Sequence, residues 1–151
     1  MQQLLIIAHT PSANTRTLIA SSQQTVQSIP GLSVSILSPF DVNATTIEQA
    51  DGVILFTTEN FGYMSGAQKD MFDRTYYSII DTKRGLPYAL VIRAGNDGTG
   101  AKRSTESILQ GLGWSRVTET LILKGKFQTE FHERLNELVE GFAIALAEGM
   151  I

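Results

Sequence analysis

Short apolar runs of strand length alternate along the chain with longer segments of helical period. The apolar runs cover Gln3–Ala8, Ser33–Leu37, Gly52–Phe56, Tyr88–Ile92 and, more weakly, Val117–Leu123. Near-continuous apolar strands with few polar alternations are typical of a parallel sheet that is covered on both faces. We therefore predict five buried strands.

The remaining segments predict five helices, at residues 14–28, 43–50, 65–81, 101–112 and 129–148. The last is the clearest, because apolar residues recur there every three or four positions. This stripe consists of Phe131, Leu135, Leu138, Val139, Phe142 and Leu146. Ser65 and Gln68 have the spacing of a capping box, with a hydroxyl at the N-cap and an amide three residues later. The segment after Leu37 is ambiguous, and Asn43–Ala50 is interpreted as one short helix.

The alternation of strands and helices predicts βαβ units and a parallel sheet. Five strands and five helices in 151 residues fit a three-layer, doubly wound, five-stranded α/β sheet with strand order 2-1-3-4-5. No repeat, linker or low-complexity segment interrupts the pattern. We therefore expect a single domain over residues 1–151.

Composition narrows the function classes. The chain has 12 Lys and Arg against 15 Asp and Glu, a formal charge of −3, which gives no electrostatic footprint for nucleic acid or anionic lipid. It has no cysteine and two histidines, which excludes thiolate catalysis and disfavours a metal site. No apolar run approaches the roughly 20 residues of a membrane span, and no signal peptide is evident. We expect a cytoplasmic protein without nucleic-acid partner, membrane insertion or metal, whose redox chemistry would need a bound cofactor.

The loop after the first strand, His9–Thr15, runs directly into a helix. Ligands of doubly wound sheets bind beyond the carboxyl ends of the strands, at the switch point between the first and third strands. The loop offers the polar side chains of Thr10, Ser12, Asn14 and Thr15. Together with the helix N-terminus they suit a phosphate. The alternative is that one of them simply caps the helix, and His9 is interpreted as structural.

Two further loops reach the same edge of the predicted sheet. The loop after the third strand carries Phe61 and Tyr63 on either side of Gly62, and these rings either lie against a flat ligand or pack under the loop. The loop after the fourth strand, Arg93–Gly100, has three glycines in six residues, which permits close approach to a ligand or forms a plain turn. Arg93 either faces an anionic ligand or forms an ion pair at the strand end.

The stretch from Ala50 to Gly66, followed by Lys69, Phe72, Asp73 and Arg74, resembles the hallmark of flavodoxin-like NAD(P)H-dependent FMN reductases and quinone reductases. In that family the pattern is roughly an ADG triplet, an apolar strand, T-P-x-Y-x-G-x-x-S/T-G and then K-x-x-L/F-D. The resemblance covers essentially the whole chain, but only residues 50–74 are specific. The flavodoxin-like fold is the doubly wound sheet predicted above.

The resemblance implies a noncovalently bound FMN, with NAD(P)H as co-substrate. The residues implied to bind FMN are Thr10, Ser12, Asn14 and Thr15 at the phosphate, Thr58, Glu59, Asn60, Phe61, Gly62 and Tyr63 along the isoalloxazine, and Gly95, Asn96 and Gly98 closing over it. Lys69 and Asp73 are interpreted as an exposed i, i+4 pair of the scaffold. The chain departs from the family at Thr58, where a proline is usual, at Asn60, where a tyrosine is usual, and in having no arginine in the first loop before Arg16.

The leading hypothesis is an oxidoreductase that passes electrons from NAD(P)H through FMN to a quinone, a flavin or a similar small acceptor. No side chain is expected to be catalytic, because the flavin carries the chemistry. A homodimer is one option, since a second subunit often completes the exposed active face in the resembling enzymes. A flavodoxin-type one-electron carrier for a redox partner protein is the second hypothesis, although the loop at 95–100 has no aromatic residue and the charge is only −3. The third is a domain that has lost flavin binding, which the residues at Thr58 and Asn60 favour.

Overall fold

The computed structural model describes residues 1–151. The strands are β1 (Gln2–Ala8), β2 (Leu32–Leu37), β3 (Gly52–Asn60), β4 (Tyr63–Met64), β5 (Pro87–Ala94), β6 (Ser115–Arg116) and β7 (Leu121–Lys124). The helices are α1 (Ala13–Val26), α2 (Ala44–Glu48), α3 (Gly66–Ile79), α4 (Thr99–Leu112) and α5 (Glu130–Ala147). No helix combines the length and the apolar character that crossing a membrane requires.

The main sheet is parallel and has the order β2-β1-β3-β5-β6, with β7 also paired to β5. The register places Ala8 beside Phe56 and Thr58 beside Arg93. When β6 and β7 count as one interrupted strand, this is the predicted order 2-1-3-4-5. The predicted fold class is confirmed: strands with few polar positions are buried between two layers of helices.

Alternate residues of each strand feed two separate cores. Leu5 and Ile7 of β1 belong to the core under α2, α3 and α4, whereas Leu4 and Ile6 belong to the core under α1 and α5. The stripe predicted on the last helix lies in the second core, where all its members except the partly buried Leu138 are buried. Because β1, β3 and β5 are covered on both faces, only their ends are open to a ligand.

The prediction of one continuous strand over Val117–Leu123 is wrong. β6 pairs with the start of β5 and β7 with its end, while residues 118–120 leave the ladder between them. Glu106 of α4 holds this interruption, since its carboxylate accepts a hydrogen bond from Thr120 Oγ1 at 2.7 Å and lies 3.5 Å from Arg116 Nη1. A cavity of about 440 Å³ lies between the interruption and α5, and none of the residues predicted to bind FMN lines it.

The ambiguous segment after Leu37 contains a 3₁₀ turn at Pro39–Asp41 and the short helix α2. Arg74 of α3 secures the turn, donating to the carbonyl oxygens of Pro39 at 2.8 Å and Val42 at 2.7 Å. Arg74 therefore has a scaffold role.

Candidate functional site

Three loops meet where β1, β3 and β5 end, because neighbouring strands of the sheet finish at the same edge. The main chain continues this alignment beyond β1, since His9 N donates to the carbonyl oxygen of Phe56 at 3.0 Å. Burial lowers the pKa of the His9 imidazole, which keeps it neutral at pH 7. The main chain of His9 is thus fixed at the end of β1.

In the loop after β1, Ser12 and Thr15 bond to each other. Ser12 Oγ accepts from Thr15 N at 3.1 Å, and Thr15 Oγ1 accepts from Ser12 N at 3.1 Å. This is a capping box that begins α1. Ser12 and Thr15 therefore cap the helix, which is the alternative to phosphate binding given above. Thr15 is also buried and donates its hydroxyl proton to the carbonyl oxygen of Ser12.

The rest of this loop keeps its polar groups free. The side chains of Thr10 and Asn14 make no hydrogen bond to another residue, and Asn14 is exposed. The N–H groups of Ala13 and Asn14 begin α1 and have no acceptor. Unpaired N–H groups at a helix N-terminus attract anions. The loop can therefore bind an anion through backbone N–H groups and two free side chains.

The third strand continues past its predicted end at Phe56 as far as Asn60 and then turns back. Asn60 pairs with Tyr63, and Phe61 and Gly62 form the two-residue turn between them. Both turn residues have positive φ, 54° at Phe61 and 70° at Gly62, as a type I′ hairpin turn requires. The sequence predicts a loop after Phe56, because in so short a hairpin only Gly62 indicates a turn between strands.

This hairpin, residues 57–64, is fixed to the N-terminus of α4. The carboxylate of Glu59 accepts from Gly98 N at 3.2 Å and Ala101 N at 3.1 Å, so it caps α4. Ser104 Oγ accepts from Met64 N at 3.2 Å. Gly100 lies so close to the turn that a Cβ atom there would stand 1.8 Å from the carbonyl oxygen of Gly62. The Glu59 carboxylate is therefore engaged by the first turn of α4.

A buried polar cluster lies beneath the hairpin. Thr57 Oγ1 and Ser65 Oγ are 3.0 Å apart, and Ser65 Oγ caps α3 by accepting from Gln68 N at 3.2 Å. The reciprocal half of the predicted capping box is absent, because Gln68 Nε2 donates to Thr105 of α4 at 2.9 Å instead. Gln68 Oε1 is buried without a partner. The cluster joins β3, α3 and α4 and so stiffens the base of the hairpin.

The tip of the hairpin is open. The Phe61 side chain is 108% exposed relative to its reference, and Tyr63 is 42% exposed. A bulky residue with positive φ is strained, and such strain clusters at functional sites. On the opposite side of β3 from Glu59, Thr58 Oγ1 donates to Asn60 Oδ1 at 3.0 Å. The packing alternative for Phe61 is excluded, since its ring contacts no core.

In the loop after β5, Gly95 and Asn96 are exposed, and a Cβ at Gly95 would meet nothing within 4 Å. Asp97 Oδ1 accepts from the N–H and the hydroxyl of Thr99, and these bonds lower the Asp97 pKa. Gly98 is buried against Ile122 and donates to Glu59, so it serves the start of α4. Of the three predicted residues in this loop, Gly95 and Asn96 are accessible to a ligand.

Arg93 forms no ion pair. Its Nη1 donates to the carbonyl oxygens of Ala94 at 2.7 Å and Leu123 at 3.1 Å, and its Cζ lies 5.0 Å from the centre of the Phe131 ring. Burial lowers the pKa of this guanidinium. Sequence reasoning missed Phe131 as its partner, because Phe131 reads as an ordinary member of the α5 stripe.

Lys69 and Asp73 form the exposed i, i+4 pair that the spacing predicts. Gly100 is one of the three glycines noted in the loop after the fourth strand, but its close approach is to the hairpin, and no pattern singles out Ser104, which also positions the hairpin. Both lie on α4, and only the folded chain brings them against residues 62–64.

No family model matches the chain, and no curated protein matches its sequence. Solved structures match it over almost its whole length. A flavodoxin from the domain Archaea gives a TM-score of 0.77 at 16% identity and covers 98% of both chains. Flavodoxin 1 from Bacillus cereus gives 0.75 at 20% identity, over 94% of this chain and 97% of that one. An NADH:FMN oxidoreductase in its apo form gives 0.76 at 14% identity, over 97% and 90%. The chain therefore has the flavodoxin-like fold, as the resemblance implied.

Proposed function

We propose that this chain binds FMN noncovalently at the edge formed by the three loops and acts as an oxidoreductase. In this proposal NAD(P)H reduces the flavin, which then reduces a quinone, another flavin or a similar small acceptor. The observation that carries the proposal is Phe61: a fully exposed aromatic ring on a strained turn, beside the switch point of a flavodoxin-like sheet.

The phosphate end of FMN fits the loop after β1. Its donors are the N–H groups of Ala13 and Asn14, the Asn14 amide and the Thr10 hydroxyl. Ser12 contributes by holding the first turn of α1, and its hydroxyl also lies 3.0 Å from Thr15 Oγ1. Thr15 supports Ser12 from its buried position. Because these groups are neutral donors, the phosphate would be held without a cationic side chain in the loop.

The ring end of FMN fits the hairpin and the loop after β5. Phe61 and Tyr63 would provide aromatic surface, with Thr58 and Asn60 as polar groups along the ring. The remaining predicted residues have different roles. Gly62 shapes the turn, Glu59 and Gly98 fix the hairpin to α4, and Gly95 and Asn96 would close over the ring.

FMN, when bound, would supply the redox chemistry, accepting a hydride from NAD(P)H and transferring it, together with one proton from solvent, to the acceptor. The residues of this chain bind and orient the cofactor. The anchored hairpin fixes the backbone of Phe61, so little backbone entropy would be lost when a flat ring docks against its side chain.

The decisive experiment is a visible-absorption titration of the purified protein with FMN. We expect a perturbed flavin spectrum and quenched flavin fluorescence at a 1:1 ratio, and at least tenfold weaker binding by Phe61→Ala. Tyr77→Ala is the matched control, because Tyr77 is an exposed aromatic residue on α3, away from the three loops. A protein that shows no spectral change with saturating FMN would overturn the proposal in favour of a domain that has lost flavin binding.

A flavodoxin-type electron carrier is the second candidate. The accessibility of Phe61 favours it, because an exposed ring at the flavin can also meet a protein partner. Anaerobic mixing of the FMN-loaded protein with NADH or NADPH separates the two. Rapid bleaching of the flavin followed by turnover with a quinone supports the reductase, whereas no bleaching by either nucleotide supports the carrier.

A further inference from the structure

Arg93 is a fixed cation without an anion. The ion pairs of the structure involve other residues, namely Lys69–Asp73, Arg74–Asp70, Lys102–Glu106 and Arg116 with Glu106 and Glu119. Nη1 of Arg93 is used by two carbonyl oxygens, while Nε and Nη2 make no hydrogen bond. Half of the guanidinium is thus held in place and the other half has unused donors.

This arrangement costs free energy in the protein alone. A partly buried charge loses hydration, and the Phe131 ring and two carbonyl oxygens return only part of that loss. Its lowered pKa reflects the same desolvation, although an arginine remains charged at neutral pH. An anionic group on a ligand would complete the site, since charge-assisted hydrogen bonds to a guanidinium are strong.

The strand pairing of β5 indicates which end of the proposed FMN site lies nearer to Arg93. The main chain of Arg93 pairs with that of Thr58, which is among the residues proposed to line the ring, while its guanidinium lies against Leu123 of β7 and Phe131 of α5. The phosphate loop follows β1, two strands away, which is roughly 10 Å at about 4.8 Å per strand. Arg93 is therefore closer to the ring than to the phosphate.

We propose that Arg93 stabilises the negative charge that the flavin ring gains on reduction. This inference rests on the proposed function. A hydride adds two electrons and one proton to the ring, so the ring gains one unit of negative charge. A fixed cation near the ring would favour the reduced state, so that reduced FMN would bind more tightly relative to oxidised FMN. Arg93 would therefore raise the reduction potential of the bound flavin.

The test measures the dissociation constants of oxidised and reduced FMN, the latter under anaerobic conditions, for the wild type and Arg93→Gln. We expect Arg93→Gln to lower the preference for reduced FMN at least tenfold, which equals about 30 mV in a two-electron potential. Arg93→Lys, which keeps the charge, should retain most of the preference. Arg103→Gln is the matched control, because Arg103 is an exposed α4 residue without an ion pair, and it should leave the preference unchanged.

Riboflavin, which lacks the phosphate, shows whether Arg93 acts on the reduced ring or on the phosphate of FMN. If Arg93 acts on the ring, Arg93→Gln should cause the same loss of preference with riboflavin as with FMN. If Arg93→Gln instead weakens both redox states of FMN equally and leaves riboflavin binding unchanged, Arg93 binds phosphate and the inference is wrong.

The wild type provides a test that needs no substitution. Its bound flavin should have a two-electron potential above that of free flavin, and a potential below it would overturn the inference even if Arg93→Gln did not fold. Flavin binding with no effect of Arg93→Gln on the preference defeats this inference alone. Failure of the wild type to bind any flavin defeats it together with the proposed function.

Discussion

The loop after β1 and the hairpin after β3 leave neighbouring strands at the same edge of the sheet, but they are held in place differently. The loop is held by itself: Ser12 and Thr15, three residues apart, exchange hydrogen bonds and begin α1. The hairpin is held by α4, about 40 residues further along the chain, through Glu59 and Met64 and through its close contact with Gly100.

This difference separates two kinds of ligand contact. The loop presents backbone N–H groups, whose direction the helix itself determines, and it needs only a local cap. The hairpin must present one side chain, Phe61, on a strained turn, and the strain persists only because surrounding contacts determine the backbone. We therefore expect substitutions at the hairpin to act over a distance and substitutions at the loop to act locally.

Gly100→Ala should have the largest effect. The new methyl group would overlap the carbonyl group of Gly62, and backbone cannot move aside as a flexible side chain can. We expect a loss of about 2 kcal/mol in unfolding free energy and a Tm lower by about 4–8 °C, together with at least tenfold weaker FMN binding. Calorimetry and FMN titration measure the two effects.

Gly141→Ala is the control for this substitution. Gly141 is also a helical glycine, but a Cβ there meets nothing within 4 Å. Its replacement should stabilise the protein by about 1 kcal/mol, which is the usual difference between the two residues in a helix. Equal Tm values for the two variants would show that the hairpin does not depend on the close contact.

Glu59→Gln tests the charged part of the same attachment. Glutamine has one acceptor oxygen, so it loses the charge at the N-terminus of α4 and one of the two bonds, to Gly98 N or Ala101 N. We expect a loss of about 1–1.5 kcal/mol. Hydrogen exchange should accelerate in both the first turn of α4 and the hairpin. Acceleration confined to α4 would mean that Glu59 caps the helix without positioning the hairpin.

Ser12→Ala tests the locally held loop. The substitution removes the acceptor of Thr15 N and should cost about 1 kcal/mol. Faster hydrogen exchange should be confined to the first turn of α1, with none at the hairpin. FMN binding should weaken while riboflavin binding stays unchanged. Ser28→Ala, at an exposed position beyond the end of α1, is the matched control. Faster hydrogen exchange at the hairpin in Ser12→Ala would show that the loop is not held locally.

The same distinction explains what could be predicted from the sequence. The strand order, the α5 stripe and the cap at Ser65 follow from periodicity and from residues within one turn of each other. The Ser12–Thr15 box is equally local, although whether it also serves a phosphate cannot be decided from spacing. The attachment of Glu59 to α4 has no local signal, since its partners Gly98 and Ala101 are main-chain N–H groups that any residue but proline possesses.

The broken fifth strand has the same cause. Residues 118–120 leave the ladder because Glu106 on α4 attracts Arg116 and Thr120, and no periodicity in Val117–Leu123 indicates the presence of that carboxylate. Tertiary hydrogen bonds thus account for this error in the sheet prediction. They also fix the hairpin on which the proposed ring site depends.

Phe61→Asn should have the smallest effect on stability and the opposite sign. Asn-Gly is a preferred pair for a type I′ turn, because asparagine tolerates positive φ better than a bulky residue does. The Phe61 ring makes no buried contact that the substitution would remove. We expect a gain of about 0.5–1 kcal/mol in unfolding free energy, measured by chemical denaturation, and a loss of at least tenfold in FMN affinity. Greater stability with weaker binding would show that the strain at Phe61 serves the ligand. A less stable Phe61→Asn variant would mean instead that the ring supports the fold.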